Sequence, residues 1–146
     1  MKTWLGLVLA CLVWPAMASA QVVVHTVTIT TDSSGDSTVY TPSTYGEVLA
    51  IRYVPHATTP LDTGADITIT DNITGLGLLT VTNINVSARD FLPRAYIVNS
   101  TGTAALYAAG GANVHDTMPV AGAIKVVTAG GGATKVGTLY IYVQGR

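Results

Sequence analysis

From residue 22 onward, apolar and polar side chains change places at almost every step, and this period of two constrains the chain more than any other feature. Val23, His25, Val27 and Ile29 alternate with Val24, Thr26, Thr28 and Thr30. In an extended strand successive side chains point to opposite faces, so the pattern predicts one apolar face and one threonine-rich face. The rhythm returns in Ser37–Thr41, Gly46–Val54, Ala65–Thr70, Leu78–Ile84, Pro93–Val98, Ala123–Thr128 and Val136–Gln144. In Gly46–Val54, strict alternation puts Leu49, Ile51 and Tyr53 on one face and Val48, Ala50, Arg52 and Val54 on the other.

Turn formers punctuate these runs. Thr31-Asp32-Ser33-Ser34-Gly35-Asp36 separates the first two, and Pro55 to Gly64 makes a long loop. Asp71-Asn72-Ile73-Thr74-Gly75 and Ala129-Gly130-Gly131-Gly132-Ala133-Thr134 are further turns. Short connections between alternating runs predict a hairpin at each end of the domain. Thr103–Val114 is ambiguous: Thr-Ala-Ala-Leu-Tyr-Ala-Ala could be one helical turn or a short strand, its few β-branched residues argue for helix or loop, and Gly110-Gly111 ends it. About eight strands at short intervals, without a long amphipathic helix, predict an all-β fold. The expected architecture is an antiparallel β-sandwich of jelly-roll or immunoglobulin-like type, with a barrel as the other closed solution.

The first 20 residues follow a different logic. Met1-Lys2-Thr3 is a short basic start, Trp4 to Met17 is almost unbroken apolar sequence, and Ala18-Ser19-Ala20 is a small-x-small cleavage signal. This is the layout of a secretory signal peptide, too short to span a bilayer comfortably. Cleavage after Ala20 would leave one domain, 21–146, exported to the periplasm or beyond. Cys11 after Val8-Leu9-Ala10 faintly suggests a lipoprotein, but the sequence stays apolar past it; an uncleaved anchor is the other alternative. Both tryptophans and the only cysteine lie in this segment, so the domain that follows has no internal disulfide.

Charge is scarce: seven Lys and Arg against eight Asp and Glu, a net charge of −1. No basic patch points to nucleic acid or anionic lipid, and after cleavage no stable membrane association is expected. A surface of hydroxyls and small groups is cheap to desolvate, which suits packing against protein subunits.

Chemistry-bearing patterns are weak. His25, His56 and His115 have no ligand-like spacing. Asp62, Asp66 and Asp71 share a segment but lack the calcium-loop pattern, and read instead as turn and strand-end residues. No serine sits in a G-x-S-x-G elbow, Glu47 is the only glutamate, and the glycine runs lack the G-K-[ST] of a phosphate loop. The expectation is a protein that is not an enzyme and uses no cofactor or metal. In the last run Tyr140 and Tyr142 share one face, with Leu139, Ile141 and Val143 on the other. A strand apolar on both faces is usually sandwiched or at an interface. Together with Arg94 and Tyr96, which also share a face, these tyrosines are the candidate contact residues.

Six phrases are familiar in combination: His25-Thr-Val-Thr-Ile-Thr-Thr-Asp, Val48-Leu-Ala-Ile-Arg-Tyr-Val, Asp66-Ile-Thr-Ile-Thr, Leu79-Thr-Val-Thr-Asn, Ala105-Leu-Tyr-Ala-Ala-Gly-Gly and Ile124-Lys-Val-Val-Thr-Ala-Gly-Gly-Gly. In this order the chain resembles small β-rich proteins encoded by tailed bacteriophages and prophages among their virion structural genes. The resemblance implies a non-enzymatic part of the particle, a head-decoration or connector piece. Its partners would be further copies of itself or capsid-like subunits, with a homo-oligomer expected. It supplies no catalytic residues. Virion proteins assemble in the cytoplasm, which an export signal does not fit; the alternative reading is an exported periplasmic or extracellular β-sandwich binding module of unrelated role.

Overall fold

The computed structural model describes residues 21–84 and 86–145. The signal-peptide expectation for residues 1–20 lies outside the described residues. Within them the fold is all-β, with ten strands in two antiparallel sheets. The strands are β1 (Val22–Thr30), β2 (Ser37–Tyr40), β3 (Gly46–Pro55), β4 (Ala65–Asp71), β5 (Gly77–Ile84), β6 (Arg89–Phe91), β7 (Arg94–Tyr96), β8 (His115–Val120), β9 (Ile124–Ala129) and β10 (Val136–Gln144). The larger sheet has the order β1-β10-β3-β8-β7, with β6 also on β3. The smaller has the order β2-β9-β4-β5. One edge of β3 is lined by β10; the other carries β8 at Gly46–Val48 and β6 at Ile51–Tyr53.

Alternation explains the core. Val27 and Ile29 of β1, Leu139, Ile141 and Val143 of β10, and Val48, Ile51 and Tyr53 of β3 are buried from the larger sheet. Ile67 and Ile69 of β4, Leu78, Val81 and Ile84 of β5, and Ile124 and Val126 of β9 meet them from the smaller sheet, forming one cluster closed by Leu61 from the long loop. Each fully buried aliphatic side chain contributes roughly 1.5–3 kcal/mol relative to exposure, so the two inner faces hold the sandwich together. The expected period is cleanest in β10, whose residues alternate between half-buried and buried along its whole length.

The structure departs from the expectations in four places. Ten strands form rather than about eight, because β6 and β8 carry little sequence signal. β6 has three residues, and β8 opens with His115-Asp116-Thr117 and contains Pro119. Proline normally argues against a paired strand. Secondly, β3 does not alternate strictly. A register shift against β10 between Tyr142 and Val143 makes Leu49 an extra residue, so Val48 points inward with Ile51 and Tyr53. Thirdly, Thr103–Val114 forms neither helix nor strand but two isolated bridges, Val98 with Ala104 and Leu106 with Asn113.

Fourthly, neither expected hairpin forms. β1 and β2 belong to different sheets, and so do β9 and β10. Their connections cross the roughly 10 Å between layers and are strapped together at one end of the sandwich. The Gly131 amide donates to the Gly35 carbonyl at 2.8 Å and the Thr134 amide to the Asp32 carbonyl at 3.2 Å. Buried Thr31 donates its hydroxyl to the Gly132 carbonyl at 2.6 Å and accepts from the Lys135 amide at 2.8 Å. Two loops that satisfy each other's backbone in this way need not close their own hairpins. At the other end Gly46 starts β3 with φ of 149°, where a Cβ would collide with the Gln144 carbonyl oxygen. Only glycine fits that approach.

Candidate interaction surface

The outer face of the larger sheet collects all four candidate contact residues. In β10, Tyr140 lies between Thr26 of β1 and Arg52 of β3, and Tyr142 between Val24 and Ala50. Both tyrosines are half-buried. Further along, Gln144 is opposite Glu47, and Glu47 is opposite Pro119 of β8. The Thr117 hydroxyl donates to Glu47 Oε2 at 2.5 Å. Thr117 pairs with Arg94 and His115 with Tyr96. Since Met118 and Val120 point inward, alternation places Thr117, Arg94 and Tyr96 on the same outer face as the tyrosines. Two strands separate the pairs, so they share one surface without forming one cluster.

Arg94 is not free to reach outward. Its Nη1 donates to the Pro93 carbonyl at 2.7 Å and to the Leu49 carbonyl at 3.2 Å, pinning β7 to the bulge of β3. Arg52 faces Asp90 at 3.8 Å between exposed side chains, a pair worth little in water.

Sequence reasoning missed an extended exposed apolar segment of the described residues. Between β7 and β8 the chain makes an excursion, hereafter the lobe (residues 97–114). From Ala95 to Val114 no residue carries a charge, and residues 94–103 are all exposed. Tyr107 is 75% exposed and Tyr96 56%; Ile97, Val98 and Leu106 are exposed as well. Backbone hydrogen bonds order the lobe in place of a core. The Ile97 amide donates to Val114, the Val114 amide to Ala105 and the Ala105 amide to Ile97, each at 2.8 Å, closing a ring across three chain passes. Asn99 Oδ1 then gathers the amides of Thr101 at 3.0 Å and Thr103 at 2.9 Å to make the tip. The signal present in the sequence is the absence of charge from Ala95 to Val114 in a stretch where the period of two is lost.

A shallow hollow of about 310 Å³ lies at the far end of β4, lined by Asp71, Thr74, Gly75, Leu76, Pro119 and Ala121. Its carboxylate is fully engaged. Asp71 Oδ1 accepts from the amides of Ile73 at 2.8 Å and Thr74 at 3.1 Å, and Oδ2 from Ala121 at 2.6 Å. Burial by itself would raise this carboxyl, but the amides of Ala121, Thr74 and Ile73 outweigh it and hold the group below its ordinary value. Asp71 thus ties the β4–β5 turn to the β8–β9 turn. The neighbouring aspartates are also used locally: Asp66 Oδ1 accepts from the Asn83 amide at 3.0 Å, and Asp62 lies 3.4 Å from Lys135 Nζ. Among the described residues no three His, Cys, Asp or Glu side chains converge as a metal site would require. His25 lies in β1, His56 Nδ1 accepts from the Thr58 and Thr59 amides in the long loop, and His115 opens β8.

Comparison with protein-family models, curated proteins and solved structures finds no match.

Proposed function

We propose that this chain is a non-enzymatic structural protein that works by packing against other protein subunits, in the manner of a virion decoration or connector piece. The observation that carries the reading is the lobe, a charge-free, solvent-facing excursion with Ile97, Val98, Leu106 and Tyr107 exposed beside Tyr96 of β7 on a well-packed sandwich. Exposed apolar clusters of this kind mark interaction sites. Tyrosine suits such sites because it contributes large contact area with few rotatable bonds. Tyr140 and Tyr142 add half-buried aromatic surface on the outer face of the larger sheet, with two strands between them and β7. The resemblance to phage structural proteins supplies the type of partner, further copies or capsid-like subunits.

Mass spectrometry of density-purified particles from an induced host tests the assignment. The chain should co-purify with capsid subunits in fixed stoichiometry, and Tyr107→Asp should release it. The apolar Trp4–Met17 run with Ala18-Ser19-Ala20 favours a second reading, an exported binding module. Recovery of protein beginning at Gln21 in the periplasm, with none on particles, would establish that reading and remove the first.

A further inference from the structure

The larger sheet ends in a strand that is ready to pair again. β1 matches β10 over nine residues, from Val22 opposite Gln144 to Thr30 opposite Val136, without a register shift. Just beyond the two ends the Gly145 amide donates to the Gln21 carbonyl at 2.9 Å and the Thr31 amide to the Lys135 carbonyl at 3.0 Å. In an antiparallel ladder the groups that reach the neighbour alternate along the strand. Val23, His25, Val27 and Ile29 therefore spend their backbone groups on β10. Val22, Val24, Thr26, Thr28 and Thr30 direct theirs to the other edge, where no strand pairs among the described residues, and all five are exposed.

Proteins usually protect such edges by shortness, bulges, proline or lysine. The other edges here are protected: β2 has four residues, β7 has three, and β5 shifts register twice against β4. β1 has none of these devices, and no Asp, Glu, Lys or Arg.

We infer that β1 is a self-pairing edge, joining two copies of this chain antiparallel across a two-fold axis into one continuous sheet. A strand without charge is complementary to itself, since symmetry sets no like charges opposite each other. Full overlap centres the axis on Thr26. It sets Thr26 opposite Thr26 of the other copy, Val24 opposite Thr28 and Val22 opposite Thr30. Each of these pairs joins residues whose backbone groups point away from β10 and meet no strand among the described residues, so all can exchange hydrogen bonds. A slip by one residue would present groups already committed to β10. This inference deepens the subunit-packing reading by naming the partner, and it stands on β1 and not on the lobe.

The test uses protein purified from cells expressing the full sequence, studied by sedimentation velocity over a concentration series. A monomer–dimer equilibrium is expected, and Thr26→Lys should weaken it at least 10-fold while leaving the circular dichroism and melting curve of the monomer unchanged. Thr28→Lys is the second variant should the first misfold. In a Cys11→Ser background, Thr26→Cys should cross-link under mild oxidation at least 10-fold faster than Thr103→Cys in the lobe. Directly opposed, hydrogen-bonded residues lie about 5.5 Å apart, within disulfide reach. A monomer at every concentration, or a dimer indifferent to Thr26→Lys, overturns the inference. Association lost with Tyr107→Asp but not with either lysine variant also overturns it, while leaving subunit packing through the lobe intact.

Discussion

The sandwich body and the lobe are made from the same poor vocabulary of valine, isoleucine, threonine, alanine, tyrosine and glycine, yet they solve opposite problems. In the body each strand turns one alternate set of apolar residues inward, as β10 does with Leu139, Ile141 and Val143 while Tyr140 and Tyr142 stay half-buried on its outer face. In the lobe they fall in clusters, Tyr96-Ile97-Val98 and Leu106-Tyr107, and remain outside. The body is held by burial of side chains. The lobe is held by backbone hydrogen bonds around Ile97, Ala105 and Val114 and by the Asn99 turn. Order therefore does not require a local core, and hydrophobic composition alone does not say which surface a segment will cover. Spacing does.

The largest expected effect lies in the body. Gly46→Ala forces a Cβ against the Gln144 carbonyl and should cost about 3–5 kcal/mol, comparable to Ile141→Ala in the core. Denaturant titration measures both, and a loss below about 1 kcal/mol would mean that the junction of β3, β8 and β10 is looser than described. Asp71→Ala removes the acceptor for three amides at a buried turn and should cost about 2–3 kcal/mol.

Asp71 also gives the body a pH dependence. Its carboxyl is held below the ordinary 3.8, so its contribution is fully present above that value and lost as the pH falls through the folded pKa. Asp32, in the loop strap, is lowered chiefly by the amides of Asp36 and Ser34 and acts in the same direction. Acid titration of the melting temperature should therefore show a fall below about pH 4 that Asp71→Ala flattens. A smaller gain is expected from Thr128→Val, which removes a buried hydroxyl with no hydrogen-bond partner among the described residues and should stabilise the fold by about 1 kcal/mol. Smallest of all, Tyr107→Ala should change stability by less than about 0.5 kcal/mol. That near-zero effect on folding, set beside a loss of subunit binding, would sharpen the contrast between lobe and body. A large loss of stability would erase it.

Much of the fold was legible before the structure. Seven of the eight expected runs correspond closely to a strand, since a period of two over five to nine residues is a direct consequence of half-burial. The eighth, Pro93–Val98, shrank to the three residues of β7 and ran on into the lobe. The face shared by Tyr140 and Tyr142 followed from the same rule. β8 was hidden because Met118 and Val120 are its only inward residues and Pro119 lies between them. The inward turn of Val48 was hidden because a bulge exists only in relation to a partner strand.

By itself the sequence determined that the chain would form pleated strands, which side chains would share a face, and that the exterior would carry little charge. Those properties depend on neighbours one and two residues away. Tertiary structure alone decided which strands pair, that β1 and β2, like β9 and β10, part into separate layers, that the lobe stays outside, and that β1 ends the larger sheet among the described residues. These choices depend on hydrogen bonds between segments as distant as Thr31 and Lys135. No local pattern records them, because either sheet could have satisfied the same apolar face.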